Sequence, residues 1–441
     1  MTPVERFQRL LRIPTVSHPD ESLVDWARFD EFVDALRELY PRTHETLAVE
    51  RVAGHSLLYR WAGREPGDPV VLMAHMDVVP AVPDEWDRPP FAAEIVGEGS
   101  EARIHARGTI DNKGALVAIL EAVEQLVTEG FEPQHDVHLA FGHNEEVDGD
   151  GARSMAARLA ERGVRPWLVL DEGGAVVEGV LPGLRAPAAM IGVAERGTAA
   201  VTLTATEAGG HSSTPPRFPA TARLARAIGR VHRRPFPTHL ARPVRAMLAT
   251  LAPHVDGPLG TALRHPRLTG PVLRRALPAL GPELNALVRT TAVVTQLSGS
   301  AADNVLATAP SATLDLRLLT GDTVAGALER LRRVVADDGV RVELRDGTDP
   351  SPVSPWRGPR WMRLARAVVE ALGADVVPTP YLQLAASDSR FFAGISDHVY
   401  RFTPFLITEE EREALHAADE RIGVETWLRG IGFYRALLEA S

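Results

Sequence analysis

The sequence predicts an α/β protein in which a mixed sheet flanked by helices is interrupted by an inserted α+β unit with extra helices. Two observations carry this expectation. First, apolar runs of strand length at residues 70–74, 136–141 and 167–170 alternate with helical patterns at 115–128 and 152–162. That alternation is the mark of parallel strands joined by crossover helices. Second, the pattern changes after residues 192–197. Thr/Val alternation at 198–206 is followed by a helical pattern at 222–232, strand-like alternation at 289–297 and 312–318, and a helix at 325–336. That order fits a β-α-β-β-α-β unit carrying a helical insertion.

In chain order, residues 4–40 read as helical. Leu10, Leu11 and Ile13 are apolar, and Phe29, Phe32, Val33 and Leu36 recur at helical spacing. Residues 86–91, with Pro89-Pro90, form a loop. The stretch 234–288 is rich in Pro and Arg but keeps helical apolar spacing, and residues 346–355 form a Gly/Asp/Pro/Ser linker. Helices at 361–372 and 424–438 return the chain to its first unit. The expected division is 1–194 and 349–441 for the main domain, with 195–348 inserted. A length of 441 residues favours more than one domain.

Composition narrows the class. Hydrophobic content of 45% and charged content of 24% are ordinary for a globular enzyme. A net charge of −10 argues against nucleic-acid and anionic-membrane partners. No apolar run spans a bilayer, and residues 1–7 lack the basic and apolar parts of an export signal. With no cysteine there is no disulfide, thiolate ligand or Cys nucleophile, and a cytoplasmic protein is expected. Lys113 is the only lysine, in a chain otherwise using arginine. A compact ammonium differs from a planar guanidinium, so Lys113 is expected in a tight place beside the functional site.

The chemistry collects at the ends of the apolar runs, where open α/β sheets form their ligand crevice. His75 and Asp77 share a strand face, and a metal-bound imidazole commonly passes its other N–H to a carboxylate. Alone, the pair reads as a surface His beside a turn Asp. Glu145 and Glu146 are adjacent, so one can bind a metal while the other faces a water as general base; alone, they read as compensation of a helix dipole. Asp111, in a Gly-bracketed turn opening a helix, reads as an N-cap or as a carboxylate bridging two metals. Asp171 ends a buried strand, where an unpaired carboxylate is costly, and Glu172 is its rival there. Nitrogen and oxygen ligands alone suit zinc or a similar divalent ion.

Together, His75-x-Asp77-Val-Val-Pro, Trp86-x-x-x-Pro-Phe, Gly108-Thr-x-Asp111-x-Lys113, Glu145-Glu146, Asp171-Glu172-Gly-Gly and Gly209-Gly-His211-Ser resemble the M20 family of dinuclear zinc peptidases and deacylases. The resemblance is greatest to the branch of carboxypeptidase S and the N-acyl-amino-acid hydrolases. It implies a zinc-peptidase-like catalytic domain and a ferredoxin-like lid or dimerisation domain. It implies two Zn²⁺, with Co²⁺ or Mn²⁺ as substitutes: one held by His75 and Asp171, the other by Glu146 and His416, with Asp111 bridging. Glu145 is implied as the base acting on a bridging water, and Asp77 as the partner of His75. A cis peptide is implied after Asp111. His211 is implied to reach a partner subunit's site in a homodimer and to hold an oxyanion. Asn304 is implied to contact substrate, and Arg390 and Arg317 are expected to fork onto its carboxylate. Substrates are then small molecules: dipeptides, short peptides with a free carboxyl-terminus, or N-acyl amino acids. The alternatives are a biosynthetic N-acetyl or N-succinyl amino-acid deacylase and a catalytically silent binding protein. The chain departs from the family in carrying His143-Asn144 before the Glu pair, and in the length of its 216–288 stretch.

Overall fold

The structure is a computed structural model and describes residues 1–147 and 149–440. Its centre is an eight-stranded mixed sheet. In spatial order the strands are Ala48–Val52, Ser56–Trp61, Val137–Gly142, Val70–His75, Leu168–Val177, Val399–Leu406, Ala188–Glu195 and Val377–Gln383. Val70–His75 runs parallel to both its neighbours. It is buried along its whole length, which is why its sequence is continuously apolar rather than alternating.

Helices close both faces. Lys113–Thr128 is buried almost all round. It lies under Pro3–Leu11 and Val424–Glu439, whose Phe7 and Trp427 rings stack with centroids 4.5 Å apart. The Trp427 indole N–H donates to the Gly114 carbonyl at 3.0 Å, so the buried ring keeps its one polar atom satisfied. Asp150–Glu161 packs on the other face against Phe392 and Val399.

The second sheet is antiparallel, in the order Thr291–Ser298, Ser311–Leu318, Gly197–Ala205, Val340–Thr348. Helices Ala220–Arg233 and Val324–Val335 cover one of its faces, completing the β-α-β-β-α-β order. The helical stretch does not follow the expected division. Helices Arg242–Leu251, Gly257–Arg264, Pro266–Ala276 and Pro282–Val288 share a core with the edge of the large sheet, through Ala188, Met190, Ala194 and Leu382. Apolar faces at Val244, Met247, Leu248 and Leu251 drive this docking. No helix of the described residues is long and apolar enough to cross a membrane.

Candidate active site

The strand Val70–His75 ends on His75, and the chain turns sharply to bring Asp77 back onto it. The His75 Nδ1 lies 3.0 Å from the Asp77 carbonyl and 3.3 Å from its Oδ1. The two Asp77 oxygens also accept the backbone N–H groups of Glu145 and Glu146, each at 3.1 Å. One buried carboxylate therefore orients the imidazole and the loop after Val137–Gly142 together. Burial pushes Asp77 up, but the His75 ring outweighs it and holds the carboxyl below its ordinary range.

Freed from Nδ1, the His75 Nε2 faces Asp111 Oδ1 at 3.1 Å and Glu172 Oε1 at 3.3 Å. The other Asp111 oxygen lies 2.9 Å from His416 Nε2, which is 3.2 Å from Glu146 Oε2. Two groups thus share Asp111: His75, Asp111, Glu172 and Asp111, Glu146, His416. The ligand atoms within each lie inside 4.8 Å of one another. The donor set is all nitrogen and oxygen, fit for divalent ions. Glu146 Oε1 is buried without a hydrogen-bond partner, as expected of an oxygen meant for a cation. Burial and neighbouring carboxylates raise Glu145 and Glu172 well above their ordinary range, and burial raises Glu146. Asp111 goes the other way: burial is outweighed by bonds from His416 and His75.

Asp111 is placed by its loop. The Asp111–Asn112 peptide is cis. Glu420, fully buried, accepts from the N–H groups of Gly108, Ile110 and Asp111 at 2.9, 2.7 and 3.2 Å, and from Arg107 Nη1 at 2.8 Å. Arg107 Nη2 also donates to the Ala417 carbonyl at 2.9 Å. The pair Arg107–Glu420 therefore ties the Asp111 loop to the turn carrying His416.

One expectation is corrected. The strand ending at Asp171 in the sequence reading continues to Val177, so Asp171 and Glu172 point to opposite faces. Glu172 joins His75. The Asp171 carboxylate instead accepts the Ser389 N–H at 2.7 Å, which offsets part of its burial, although burial still raises the carboxyl. Lys113 does not line the cavity, but it is fully buried and feels the charges of Asp77 and Glu420, which support the site. Its buried ammonium sits at the C-terminal end of Pro3–Leu11, donating to the carbonyls of Ile13 at 2.5 Å and Leu10 at 3.4 Å, and burial pushes it down to about 7.

Asp111, Glu145, Glu146, Glu172 and His416 line a cavity of about 330 Å³. Its further wall is apolar: Val177 and Met190 from the large sheet, Val180 from the loop between their strands, Leu284 and Leu287 from Pro282–Val288, and Ile407 and Leu415. The glycines after Glu172 let neighbouring segments approach closely beside it. A Cβ at Gly174 would overlap the Met190 carbonyl, and Gly173 has φ +143° with Gln383 and Arg401 pressed against it.

The other expected substrate residues lie elsewhere. Arg390 donates to the Ser387 carbonyl at 3.1 Å and stacks on Phe391. Arg317 pairs with Asp315 at 3.1 Å on the small sheet. Neither lines the cavity. His211 and Asn304 are brought together, since Ser212 N–H donates to the Asn304 carbonyl at 3.0 Å and His211 bridges Val305. Both are exposed and outside their own chain's cavity. The sequence reading missed Glu195 and Arg401, a buried pair at 2.8 Å. Glu195 also accepts from the Ser387 N–H at 3.3 Å, holding the loop that caps Asp171. Its signal was a Glu closing an apolar strand, which must find a cation.

The fold and this donor set define a metal-dependent hydrolase of amide bonds. The chain belongs to peptidase family M20/M25/M40, whose family model matches residues 71–440. It is 31% identical over 443 residues to the N-fatty-acyl-amino acid synthase/hydrolase PM20D1 of Xenopus tropicalis, covering 99% of this chain and 85% of that one. It is 27% identical over 482 residues to carboxypeptidase S of Saccharomyces cerevisiae, covering 98% and 82%. The fold matches the M20 family metallo-carboxypeptidase Sso-CP2 of Sulfolobus solfataricus with a TM-score of 0.71 at 18% identity, covering 100% and 99%.

Proposed function

We propose that the protein hydrolyses N-acyl amino acids with a long, apolar acyl group. The observation that carries this reading is the cavity itself, in which a cluster of carboxylates and His416 opens directly onto an apolar wall. An apolar chain gains about 0.8 kcal/mol per buried CH₂ against such a wall. The names of the relatives near 31% identity support the same substrate class. Short peptides with a free carboxyl-terminus are the second reading, supported by the likeness to carboxypeptidase S.

In this proposal His75 and Glu172 hold one ion, Glu146 and His416 the other, and Asp111 lies between them, with zinc as the expected metal. Such ions lower the pKa of water toward about 7 and polarise a carbonyl oxygen. Glu145 lines the same cavity but takes no part in either ligand group, which leaves its carboxylate available as the base. It takes the proton of the attacking water and returns it to the leaving nitrogen. Asp77 fixes the position of Glu145 through the backbone N–H it accepts. His211, exposed beside Asn304, would serve a second copy's cavity as a donor to the carbonyl oxygen.

The test is hydrolysis of a panel of N-acyl amino acids of increasing chain length, alongside dipeptides, before and after chelation and zinc restoration. Cleavage that falls with chelation and rises with acyl length is expected. Glu145→Gln should lower kcat by about 10²–10⁴-fold while keeping its bound metal. A near-normal rate in that variant would remove Glu145 as the base. A preference for dipeptides would select the second reading.

A further inference from the structure

Among the described residues lining the cavity, the one Arg or Lys is Arg412. Resting on the N-acyl amino-acid reading above, we infer that Arg412 binds the free carboxylate of the substrate, and that Glu283 occupies that position between turnovers.

The first argument is charge. Asp111, Glu145, Glu146 and Glu172 line the cavity and are matched by the proposed ions and the base role of Glu145, so Arg412 is the one side-chain cation of the lining left to receive a substrate carboxylate. The expected Arg390 and Arg317 are outside, and Arg401 is buried against Glu195. The second argument is position. Arg412 lies on the helix Glu409–Glu413, four residues before His416 in the chain, and both side chains line the cavity. His416 in turn touches Asp111 and Glu146 at 2.9 and 3.2 Å. In an N-acyl amino acid only the α-carbon separates the amide nitrogen from the carboxylate. Its anchor must therefore share the cavity with the reacting groups, as Arg412 does.

The third argument is that a carboxylate is already seated on this guanidinium. Arg412 Nη1 lies 3.0 and 3.2 Å from the two oxygens of Glu283. Glu283 comes from the opposite rim, on the helix that supplies Leu284 and Leu287 to the apolar wall. The side chains of Arg412 and Glu283 are 39% and 55% exposed. Such exposed pairs are worth little, so a substrate carboxylate can displace Glu283 at small cost.

The experiment compares an N-acyl amino acid with its carboxamide counterpart, which lacks the charge, on the wild-type protein and on Arg412→Gln, Arg412→Lys and Glu283→Gln. Arg412→Gln should raise KM for the acid by about 10- to 100-fold, with kcat little changed and the carboxamide unaffected. Arg412→Lys should restore part of the loss. Glu283→Gln should lower KM for the acid by up to about 5-fold. An Arg412→Gln protein that loses acid and carboxamide equally, or neither, overturns the inference and leaves the proposed reaction standing. A wild-type protein that cleaves neither compound overturns the reaction itself and this inference with it.

Discussion

The two groups that share Asp111 are built from different material. His75 is 1% exposed at the end of a central strand, its ring held by Asp77, and Glu172 accepts from Asn112 Nδ2 at 2.5 Å. Every part of this inner group stands on the large sheet or at the start of a buried helix. His416 has a side chain 54% exposed. It sits at φ +59° on a turn that follows a five-residue helix, and Arg107 and Glu420 beneath it do the holding. The inner group is set by the sheet; the outer one is completed only when the last thirty or so residues fold back on the Asp111 loop. Preorganisation of ligands raises metal affinity through their supporting partners, so the inner position is expected to bind more tightly.

The sharpest way to break this comparison is to change the strand's two faces separately. Glu172→Ala removes an inner ligand and should release one ion per chain, with activity falling by more than the about 10- to 100-fold typical of a supporting residue. Asp171→Asn keeps an oxygen for the Ser389 N–H and should keep both ions. Metal content per chain and kcat/KM decide it; an Asp171→Asn protein lacking one ion beside a fully loaded Glu172→Ala would reverse the assignment. A smaller effect is expected from Glu420→Gln, which weakens the bonds tying the Asp111 loop to the His416 turn. Chelator titration should then show one ion weakened by about 10- to 100-fold and the other unmoved. Loss of both ions in a single phase would show that the two groups are one cooperative unit.

The inner group was the more legible from sequence, and the reason is physical. Buried parallel strands read as short apolar runs, so 70–74 pointed directly at His75 of the inner group, and 136–141 at Glu145 and at Glu146 of the outer one. The same signal misplaced Asp171, because a polar residue inside a buried strand looks like its end. Strand alternation, not the strand's terminus, selects between Asp171 and Glu172. Beyond Glu146, the outer group left no local signal. His416 is a histidine after a short acidic helix, and only the family resemblance singled it out, while Arg107–Glu420 joins positions 313 residues apart. The rarity of Lys113 marked a tight, buried place behind the site, where its ammonium caps a helix end. The β-α-β-β-α-β order was readable because each element carries its own period. Which core the 242–288 helices join was not, since an amphipathic face does not name its partner.

The smallest expected effect concerns two histidines that the two regions shift in opposite directions. In the outer group, hydrogen bonds to Asp111 and Glu146 carry His416 up to about 10. Behind the inner group, on the strand that delivers Glu145, burial pushes His138 down to about 4. The folded protein keeps the His138 ring neutral, whereas the unfolded chain protonates it below about 6.5. Keeping the ring neutral therefore carries no proton-linked cost above that value, and stability is lost progressively as pH falls toward 4. Urea unfolding at pH 7 and pH 4.5 should show His138→Leu losing less stability on acidification than the wild type, by about 1–3 kcal/mol. The change with pH, not the absolute stability of the variant, is the readout, because the substitution also alters packing. Equal losses in both proteins would mean that the ring takes up its proton in the folded state, and that the strand behind Glu145 is less closed to water than the inner group it supports.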